Sequence, residues 1–252
     1  MDLAATLRNR RVLVTGASSG LGEHFARLLA RCGARVVVGA RRRERLDRLV
    51  DELGELGAPE AKAVDLDVAD EGSVERALVD AGPLDVLVNN AGTTDGRRAL
   101  DVSTDLYDQV MDTNLRGVWL LSVAAAREWQ TTGRPGTIVN IASILGIRTG
   151  AAVPVYAASK AAVIQLTSTL ALEWARHGIR VNALAPGYIA TEMNADFFET
   201  EAGQAMVRRI PMRRLGQASD LDGAFLLLAS DASSWMTGSC IAVDGGHLVS
   251  GL

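Results

Sequence analysis

A tyrosine and a lysine stand four residues apart in the segment YAASK, which runs from Tyr156 to Lys160. The apolar spacing around them predicts a helix over 155–177, and residues i and i+4 of a helix lie on one face. A phenol, whose ordinary pKa is about 10, is protonated at pH 7 and can donate a proton to a carbonyl oxygen. A cation beside it favours the phenolate that the reverse reaction needs. The pair indicates proton chemistry at a carbonyl or alcohol, and the alternative is a core tyrosine beside a solvent-facing lysine.

A second candidate feature is the glycine-rich stretch GASSGLG, which holds Gly16, Gly20 and Gly22. It follows the β-branched run RVLVT at 11–15 and precedes a helical stripe of apolar residues that ends at Gly33. Glycine lets the backbone approach a pyrophosphate closely, and the free N–H groups at a helix start attract phosphate. Between a first strand and a first helix, this spacing predicts a dinucleotide site, and the alternative is a purely structural turn.

These residues must be positioned by a regular alternation of strands and helices. Seven short runs rich in β-branched residues are mostly continuous apolar stretches, as in strands that are covered on both faces. We therefore expect α/β class: a single doubly wound, Rossmann-type domain over 1–252, with a seven-stranded parallel sheet flanked by helices on both faces. The predicted strands are 11–15, 35–40, 61–68, 84–89, 137–142, 179–185 and 240–244, and the predicted helices are 21–32, 44–56, 72–80, 103–130, 155–177 and 219–230.

The segment 187–214 interrupts this alternation between the sixth strand and the last helix. Long insertions in compact domains are commonly lids or functional loops, so the segment is predicted to be a substrate lid. It carries the apolar side chains of Met193, Phe197, Phe198 and Met206. They suggest an apolar or bulky carbonyl substrate, although residues of these types are more often used for packing.

Composition excludes several classes of function. The 252-residue chain has a formal net charge of −4, which gives no overall attraction to nucleic acid or to an anionic membrane. Cys32 and Cys240 cannot form a disulfide framework, and no secretory leader or membrane-spanning run of apolar residues is evident, so a cytoplasmic protein is expected. His24, His177 and His247 show no metal-ligand spacing, so no metal site is predicted.

Six motifs together resemble the short-chain dehydrogenase/reductase family. They are the TGxxxGxG spacing of Thr15–Gly22, NNAG at 89–92, Asn114, Ser143, the YAASK segment, and PG at 186–187. They occur in the family's usual order over nearly the whole chain. The resemblance implies an enzyme that transfers hydride between NADP(H) and a small carbonyl or secondary alcohol substrate. Ketone or aldehyde reduction, including 3-oxoacyl reductase-like activity, is expected.

The resemblance also implies four catalytic residues. Tyr156 would exchange the proton, and Lys160 would lower the pKa of the phenol and hold the nicotinamide ribose. Ser143 would orient the carbonyl oxygen, and Asn114 would anchor a water chain that reaches Lys160. Each residue alone has an ordinary structural alternative, but their joint occurrence in the family's spacing favours catalysis.

The choice of cofactor is predicted from the end of the second strand. Ala40 stands where NAD-preferring relatives carry Asp, and Arg41 follows it. A guanidinium can bind the 2′-phosphate of NADP(H), which a carboxylate would repel. Arg41 is the preferred candidate, Arg42 is a poorer one, and NADH is expected to be the poorer cofactor. The predicted cofactor-binding residues are Gly16, Ser18, Ser19, Gly20, Leu21, Gly22, Arg41, Asp67, Val68, Asn90, Ala91, Gly92, Tyr156, Lys160, Pro186, Gly187, Ile189 and Thr191.

Two other functions stay open at this point. One is an NAD(H)-dependent polyol or sugar dehydrogenase, and the other is a protein that senses the dinucleotide without catalysis. The segment 233–246 resembles the part that relatives pack against a neighbouring subunit, so a homotetramer is expected. Asp67 has the alternative of capping a turn.

Overall fold

The computed structural model describes residues 3–190 and 195–250. It confirms the predicted doubly wound α/β fold: seven parallel strands form one sheet in the order β3-β2-β1-β4-β5-β6-β7. The strands are β1 (Arg11–Thr15), β2 (Arg35–Ala40), β3 (Ala61–Asp65), β4 (Val86–Asn89), β5 (Gly136–Ile141), β6 (Ile179–Pro186) and β7 (Cys240–Val243). The α-helices of the described residues are α1 (Gly20–Arg31), α2 (Arg43–Glu55), α3 (Glu71–Ala81), α4 (Thr104–Met111), α5 (Gly117–Thr132), α6 (Pro154–Trp174), α7 (Ala195–Glu199), α8 (Glu201–Val207) and α9 (Asp222–Ala229).

The core has one layer on each face of the sheet. Alternate residues of a strand point to opposite faces, so Val12 and Val14 of β1 join one layer and Leu13 joins the other. Helices α1, α2 and α9 cover the first face, where the rings of Phe25 and Phe225 stack with centroids 4.1 Å apart. Helices α3, α5 and α6 cover the second face. This double cover explains why the strands are continuous apolar runs.

The strand order reverses direction between β1 and β4. The chain builds β2 and β3 on one side of β1 and then returns to add β4 on the other side. In open parallel sheets, ligands bind beyond the carboxyl ends of the strands at such a switch point. The glycine-rich turn after β1 and the NNAG loop after β4 both lie there.

The predicted helix 103–130 is wrong in one respect, because the structure divides it. Residues Asp112–Arg116 form a π-helical turn between α4 and α5, and the amide of Gly117 donates to the carbonyl of Asp112. A π-turn inserts one residue into the helix without breaking the chain's course, so the apolar period on either side stays regular. Asn114, one of the predicted catalytic residues, lies in this turn.

Strand β3 also ends at Asp65, earlier than the predicted 61–68. The chain turns after Leu66, where Oδ1 of Asp67 accepts a hydrogen bond from the amide of Ala69 at 3.1 Å. The turn-capping alternative for Asp67 therefore describes a real contact.

The described part of 187–214 leaves and rejoins the domain through a narrow neck. Ile189 and Gly216 form an isolated parallel bridge, with the amide of Ala190 2.8 Å from the carbonyl of Gly216. The short helices α7 and α8 lie beyond this neck. A segment whose two ends are bridged and which contains short helices is consistent with a lid. The lid over 187–214 remains a prediction. Met193 lies outside the described residues, and the structure does not describe the side chain of Phe197.

One helix, Pro154–His177, is long and apolar enough to cross a membrane when judged by length and composition alone. It includes α6, which packs against β6 and contributes Leu170 and Ala171 to the core. The core helix of an α/β domain passes the same test, and the buried part of this helix, 39% of its apolar window, accounts for a share of its apolar character.

Candidate active site

Tyr156 and Lys160 meet at the start of α6, as their spacing predicts. Lys160 is only 4% exposed, and its Nζ lies 5.7 Å from the centre of the Tyr156 ring. The ammonium donates a hydrogen bond of 2.8 Å to the carbonyl of Ile141 at the end of β5. This contact with the sheet fixes Lys160 inside the domain, so the solvent-facing alternative does not hold.

Burial sets the protonation of both groups. It raises the pKa of Tyr156 above its usual value, and the hydrogen bond with Ser143 opposes that shift. Burial also lowers the pKa of Lys160 to about 8. At neutral pH, Tyr156 is therefore a phenol that can donate a proton, and Lys160 is still mostly an ammonium.

Ser143 stands directly beyond the carboxyl end of β5 and is buried. Its backbone is extended, and its hydroxyl oxygen accepts a hydrogen bond of 3.1 Å from the amide of Leu145. The same side chain is close enough to the phenol of Tyr156 that hydrogen bonding between them opposes the rise in the pKa of the phenol. Two hydroxyl groups from different elements therefore converge on one point, where a carbonyl oxygen can be held by both.

Asn114 is fully buried, and its side chain joins three elements. Its Nδ2 donates to the carbonyl of Thr93 at 2.9 Å and to Oγ of Ser159 at 3.0 Å, and its Oδ1 accepts from the amide of Thr93 at 2.8 Å. A Cβ placed on Gly92 would be 3.4 Å from Oδ1 of Asn114 and 3.5 Å from Nζ of Lys160. The side chain of Asn114 therefore binds the loop after β4, with Gly92 between it and Lys160. The predicted water chain stays a prediction.

The glycine-rich turn has the geometry that a pyrophosphate needs. Gly16 has φ of 65°, and a Cβ there would lie 2.7 Å from Cα of Ala91. Helix α1 begins at Gly20, and the side chain of Ser19 does not cap it. The amides of the first turn, which include those of Leu21 and Gly22, therefore remain donors without an intrahelical partner. Such a helix start suits a phosphate group, so these residues fit a bound dinucleotide.

Thr15 and Asn90 join this turn to the NNAG loop. Oγ1 of Thr15 accepts hydrogen bonds of 3.0 Å from the amides of Asn90 and Ala91. Nδ2 of Asn90 in turn donates to the carbonyl of Thr15 at 2.9 Å. Thr15 is absent from the predicted site residues, although its place directly before Gly16 could have suggested it.

Arg42, the weaker of the two arginine candidates, makes the closer contact with the turn. Its Nη2 lies 2.8 Å from Oγ of Ser18 and 2.7 Å from Oγ of Ser19, and its Nε lies 3.1 Å from Oγ of Ser18. The side chain of Arg41 is 73% exposed and reaches to 4.0 Å from a carboxylate oxygen of Asp67. Both guanidinium groups flank the end of β2, where Ala40 leaves room.

Three more of the predicted cofactor residues, together with Ile189, lie in the part of the chain that the structure describes, after β3 and at the end of β6. Val68 is buried against the start of α5, where a Cβ on Gly117 would lie 2.8 Å from the Cβ of Val68. Pro186 ends β6, and the amide of Gly187 bonds the carbonyl of Val243 at 2.9 Å. Ile189 is buried at the neck of the predicted lid. Thr191 lies outside the described residues.

Tyr188, which the sequence did not single out, lies near Tyr156 and belongs to a group of packed side chains. The ring of Tyr188 packs edge-on against His247 and against Phe198 of α7. Burial raises the pKa of Tyr188, and the nearby charge of Arg148 opposes that shift. Tyr188 is also close enough to raise the pKa of Tyr156 slightly further. Nη1 of Arg148 donates to the carbonyl of His247 at 2.5 Å, which brings the end of the described chain to the site.

Within residues 3–190 and 195–250, no group of three or more His, Cys, Asp or Glu side chains is arranged to hold a metal ion. The groups of the site that can exchange protons are its hydroxyl groups and its ammonium, and they lie in the domain whose glycine-rich turn fits a dinucleotide.

A parallel sheet with a glycine turn at its switch point and a Tyr–Lys–Ser group beside it defines a dinucleotide-dependent oxidoreductase. The chain belongs to the short-chain dehydrogenase/reductase family. A family model described as enoyl-(acyl carrier protein) reductase matches residues 16–247.

Known relatives are similar over nearly their full length. L-rhamnose 1-dehydrogenase (NAD(P)(+)) of Azotobacter vinelandii is 40% identical, with 96% of this chain and 98% of that protein covered. Gluconate 5-dehydrogenase of Gluconobacter oxydans is 39% identical, with 97% of each chain covered. The crystal structure of a gluconate 5-dehydrogenase from Burkholderia cenocepacia, in complex with NADP and tartrate, superposes with a TM-score of 0.92 at 35% identity and covers 98% of this chain and 99% of that one. The chain is therefore an enzyme, and the non-catalytic alternative is set aside.

Proposed function

We propose that this enzyme interconverts a secondary alcohol and a ketone on a polyhydroxylated substrate, with NADP(H) as its preferred cofactor. The observation that carries the reaction is the convergence of the Tyr156 phenol, the Ser143 hydroxyl and the buried Lys160 ammonium on one point. The observation that supports NADP(H) as the preferred cofactor is the pair of arginines that follow Ala40, together with the serines of the turn.

The residues of the chain supply the proton and the orientation. When bound, the nicotinamide ring supplies or accepts the hydride. Ser143 donates a hydrogen bond to the substrate oxygen, and a well-placed donor of this kind contributes about 2.7–4 kcal/mol where negative charge develops. Tyr156 gives its proton to that oxygen in reduction and takes it back in oxidation. Lys160 stabilises the phenolate with its charge.

The preference for NADP(H) follows from charge. The guanidinium of Arg42 donates hydrogen bonds to Ser18 and Ser19, and that of Arg41 lies 4.0 Å from a carboxylate oxygen of Asp67. Two guanidinium groups without a carboxylate at position 40 favour a 2′-phosphate over a bare ribose hydroxyl. NAD(H) stays the alternative cofactor, and the name of the rhamnose relative covers both dinucleotides.

The polyhydroxylated substrate replaces the expected apolar one for two reasons. The relatives act on sugars, polyols and sugar acids, and they include an L-xylulose reductase of Bos taurus that is 39% identical. Tyr188 also places a hydroxyl group near Tyr156, and Nδ1 of His247, whose ring packs against Tyr188, is buried without a hydrogen-bond partner among the described residues. A substrate with several hydroxyl groups can satisfy such groups, whereas an apolar ketone would leave them without partners. The 3-oxoacyl reductase-like activity is the second candidate; the matching family model is described as an enoyl-(acyl carrier protein) reductase, which supports an acyl thioester as substrate but not the 3-oxo group itself.

A substrate panel tests this proposal. We expect oxidation of galactitol or gluconate with NADP⁺, or reduction of L-xylulose with NADPH, at a higher kcat/KM than reduction of cyclohexanone. Acetoacetyl thioesters test the second candidate in the same assay. Faster turnover of cyclohexanone or of the thioester than of every polyhydroxylated compound would contradict the proposal.

Assembly into a homotetramer is part of the proposal, as is a cytoplasmic location. The domain exposes two large apolar side chains. Leu172 on α6 is 83% exposed, and Trp235, just before the edge strand β7, is 99% exposed. Such side chains become buried when copies of a chain associate. Light scattering should give a mass of four times 26.7 kDa.

Either of two substitutions, Leu172→Glu or Trp235→Glu, should lower that mass, because we propose that each of these side chains lies in a contact between copies and the substitution places a charge there. Val79→Glu is the matched control, since Val79 on α3 is similarly exposed, at 81%, and is not one of the side chains proposed to lie in a contact. A monomeric wild type, or an unchanged mass in both variants, would refute the assembly.

A further inference from the structure

The helix that carries Tyr156 has no cap of its own. Its N-cap residue is Val153, an apolar β-branched residue without a hydrogen-bonding side chain, and its first residue is Pro154, which has no amide hydrogen. The amides of Val155 and Tyr156 are therefore the first donors of the helix that need a partner. Most helices meet this need with a Ser, Thr, Asp or Asn at the N-cap.

Here the partner comes from sixty residues earlier in the chain. Oδ2 of Asp95 accepts a hydrogen bond from the amide of Val155 at 3.1 Å, and Oδ1 accepts one from the amide of Tyr156 at 3.4 Å. Asp95 is only 6% exposed, and it takes part in none of the ion pairs between described residues. A buried carboxylate is costly unless it is hydrogen-bonded, and the positive end of the helix dipole offers the compensation that this one has.

The loop that carries Asp95 is fixed at its other end as well. Thr93, two residues earlier, is held through both of its main-chain groups by the side chain of Asn114. Asn114 also bonds Ser159, which lies on α6 one residue before Lys160. The chain from Gly92 to Asp95 therefore bridges the NNAG loop and the first turn of α6.

We propose that Asp95 is a positioning residue for Tyr156. Its carboxylate binds the backbone of the residue whose phenol must meet Ser143, and it connects that backbone to the loop predicted to hold the cofactor. A displacement of a reacting group by about 1 Å can lower the rate by about 10²-fold. Asp95 touches no reacting atom, so its effect passes entirely through the placement of α6.

The proposal rests on the proposed reductase activity and is tested with the full chain and NADPH. In Asp95→Ala we expect kcat to fall by about 10- to 100-fold. The dissociation constant of NADPH, measured by fluorescence without substrate, should stay within about threefold of wild type. Asp95→Asn keeps one acceptor oxygen, so its kcat should lie between that of the wild type and that of Asp95→Ala.

A matched control and a second cap separate positioning from simple stabilisation. Asp70→Ala removes a carboxylate that caps α3 through the amide of Ser73, and it should lower the melting temperature without lowering kcat. Adding Val153→Ser to Asp95→Ala gives α6 a local cap that has no link to the loop. That double variant should recover its melting temperature while its kcat stays low.

Three results would overturn the proposal: an unchanged kcat in Asp95→Ala, an equal loss of kcat in Asp70→Ala, or full recovery of kcat in the double variant. An inactive wild type would instead contradict the proposed function, which keeps the two failures distinct. If Asp95→Ala fails to fold, Asp95→Asn with and without Val153→Ser provides the same comparison.

Discussion

Replacing Tyr156 by Phe is expected to lower turnover by about 10²–10⁴-fold while NADPH still binds with near wild-type affinity. The substitution removes one hydroxyl group and leaves the ring that packs beside Lys160. Without the phenol, neither Ser143 nor Lys160 is placed to replace the proton transfer directly. Steady-state kinetics in both directions, together with a fluorescence titration of NADPH, measure the two quantities separately.

The pH dependence provides an independent check on this role. Burial raises the pKa of Tyr156, so the phenol stays protonated at neutral pH and supports reduction there. Reduction should then decline as the pH rises through the pKa of that phenol. Oxidation needs the phenolate, so its rate should increase as the pH rises from 7. Wild-type-like turnover in Tyr156→Phe, or an oxidation rate that falls as the pH rises from 7, would exclude Tyr156 as the proton donor.

Replacing Arg42 by Ala should weaken NADPH binding by about 10- to 100-fold and leave NADH binding nearly unchanged. A hydrogen bond to a charged group contributes about 1.5–3 kcal/mol, and Arg42 is the arginine that contacts the serines of the turn. Of the two dinucleotides, only NADPH carries the 2′-phosphate that this guanidinium would bind. Titrations of both dinucleotides with wild type and variant give the ratio directly.

Arg41 is the matched comparison, because sequence reasoning ranks it first and the structure places it further from the turn. Arg41→Asp should also lower NADPH affinity more than NADH affinity, since it adds a repulsive charge. Arg41→Ala should have a smaller effect than Arg42→Ala, because Arg41 is more exposed and lies near Asp67. Equal losses for NADPH and NADH in all of these variants would contradict the assignment to NADP(H).

The sheet and most of the site were predictable because their determinants are local. A strand covered on both faces must be a continuous apolar run, and such runs mark all seven strands to within a few residues. The Tyr156–Lys160 pair depends only on helical spacing, and the glycine turn depends only on its place between β1 and α1. Such a pattern depends only on the strand, helix or turn that contains it, so it can be recognised before the rest of the fold is known.

The parts that sequence reasoning missed depend on distant or one-residue effects. The π-turn at Asp112–Arg116 adds one residue to a helix, and an apolar period on both sides cannot reveal it. Whether Arg41 or Arg42 reaches Ser18 depends on the path of the chain after β2. The cap that Asp95 gives to α6 joins residues sixty positions apart, and nothing in the sequence around Val153 indicates where its partner lies.

The interlocking bonds of Thr15 and Asn90 bear on how a cofactor would associate. Because the turn after β1 and the loop after β4 are joined before any ligand arrives, both halves of a dinucleotide would meet a cradle that is already assembled. Association would then order the cofactor and little of the protein, which reduces the entropy lost on binding.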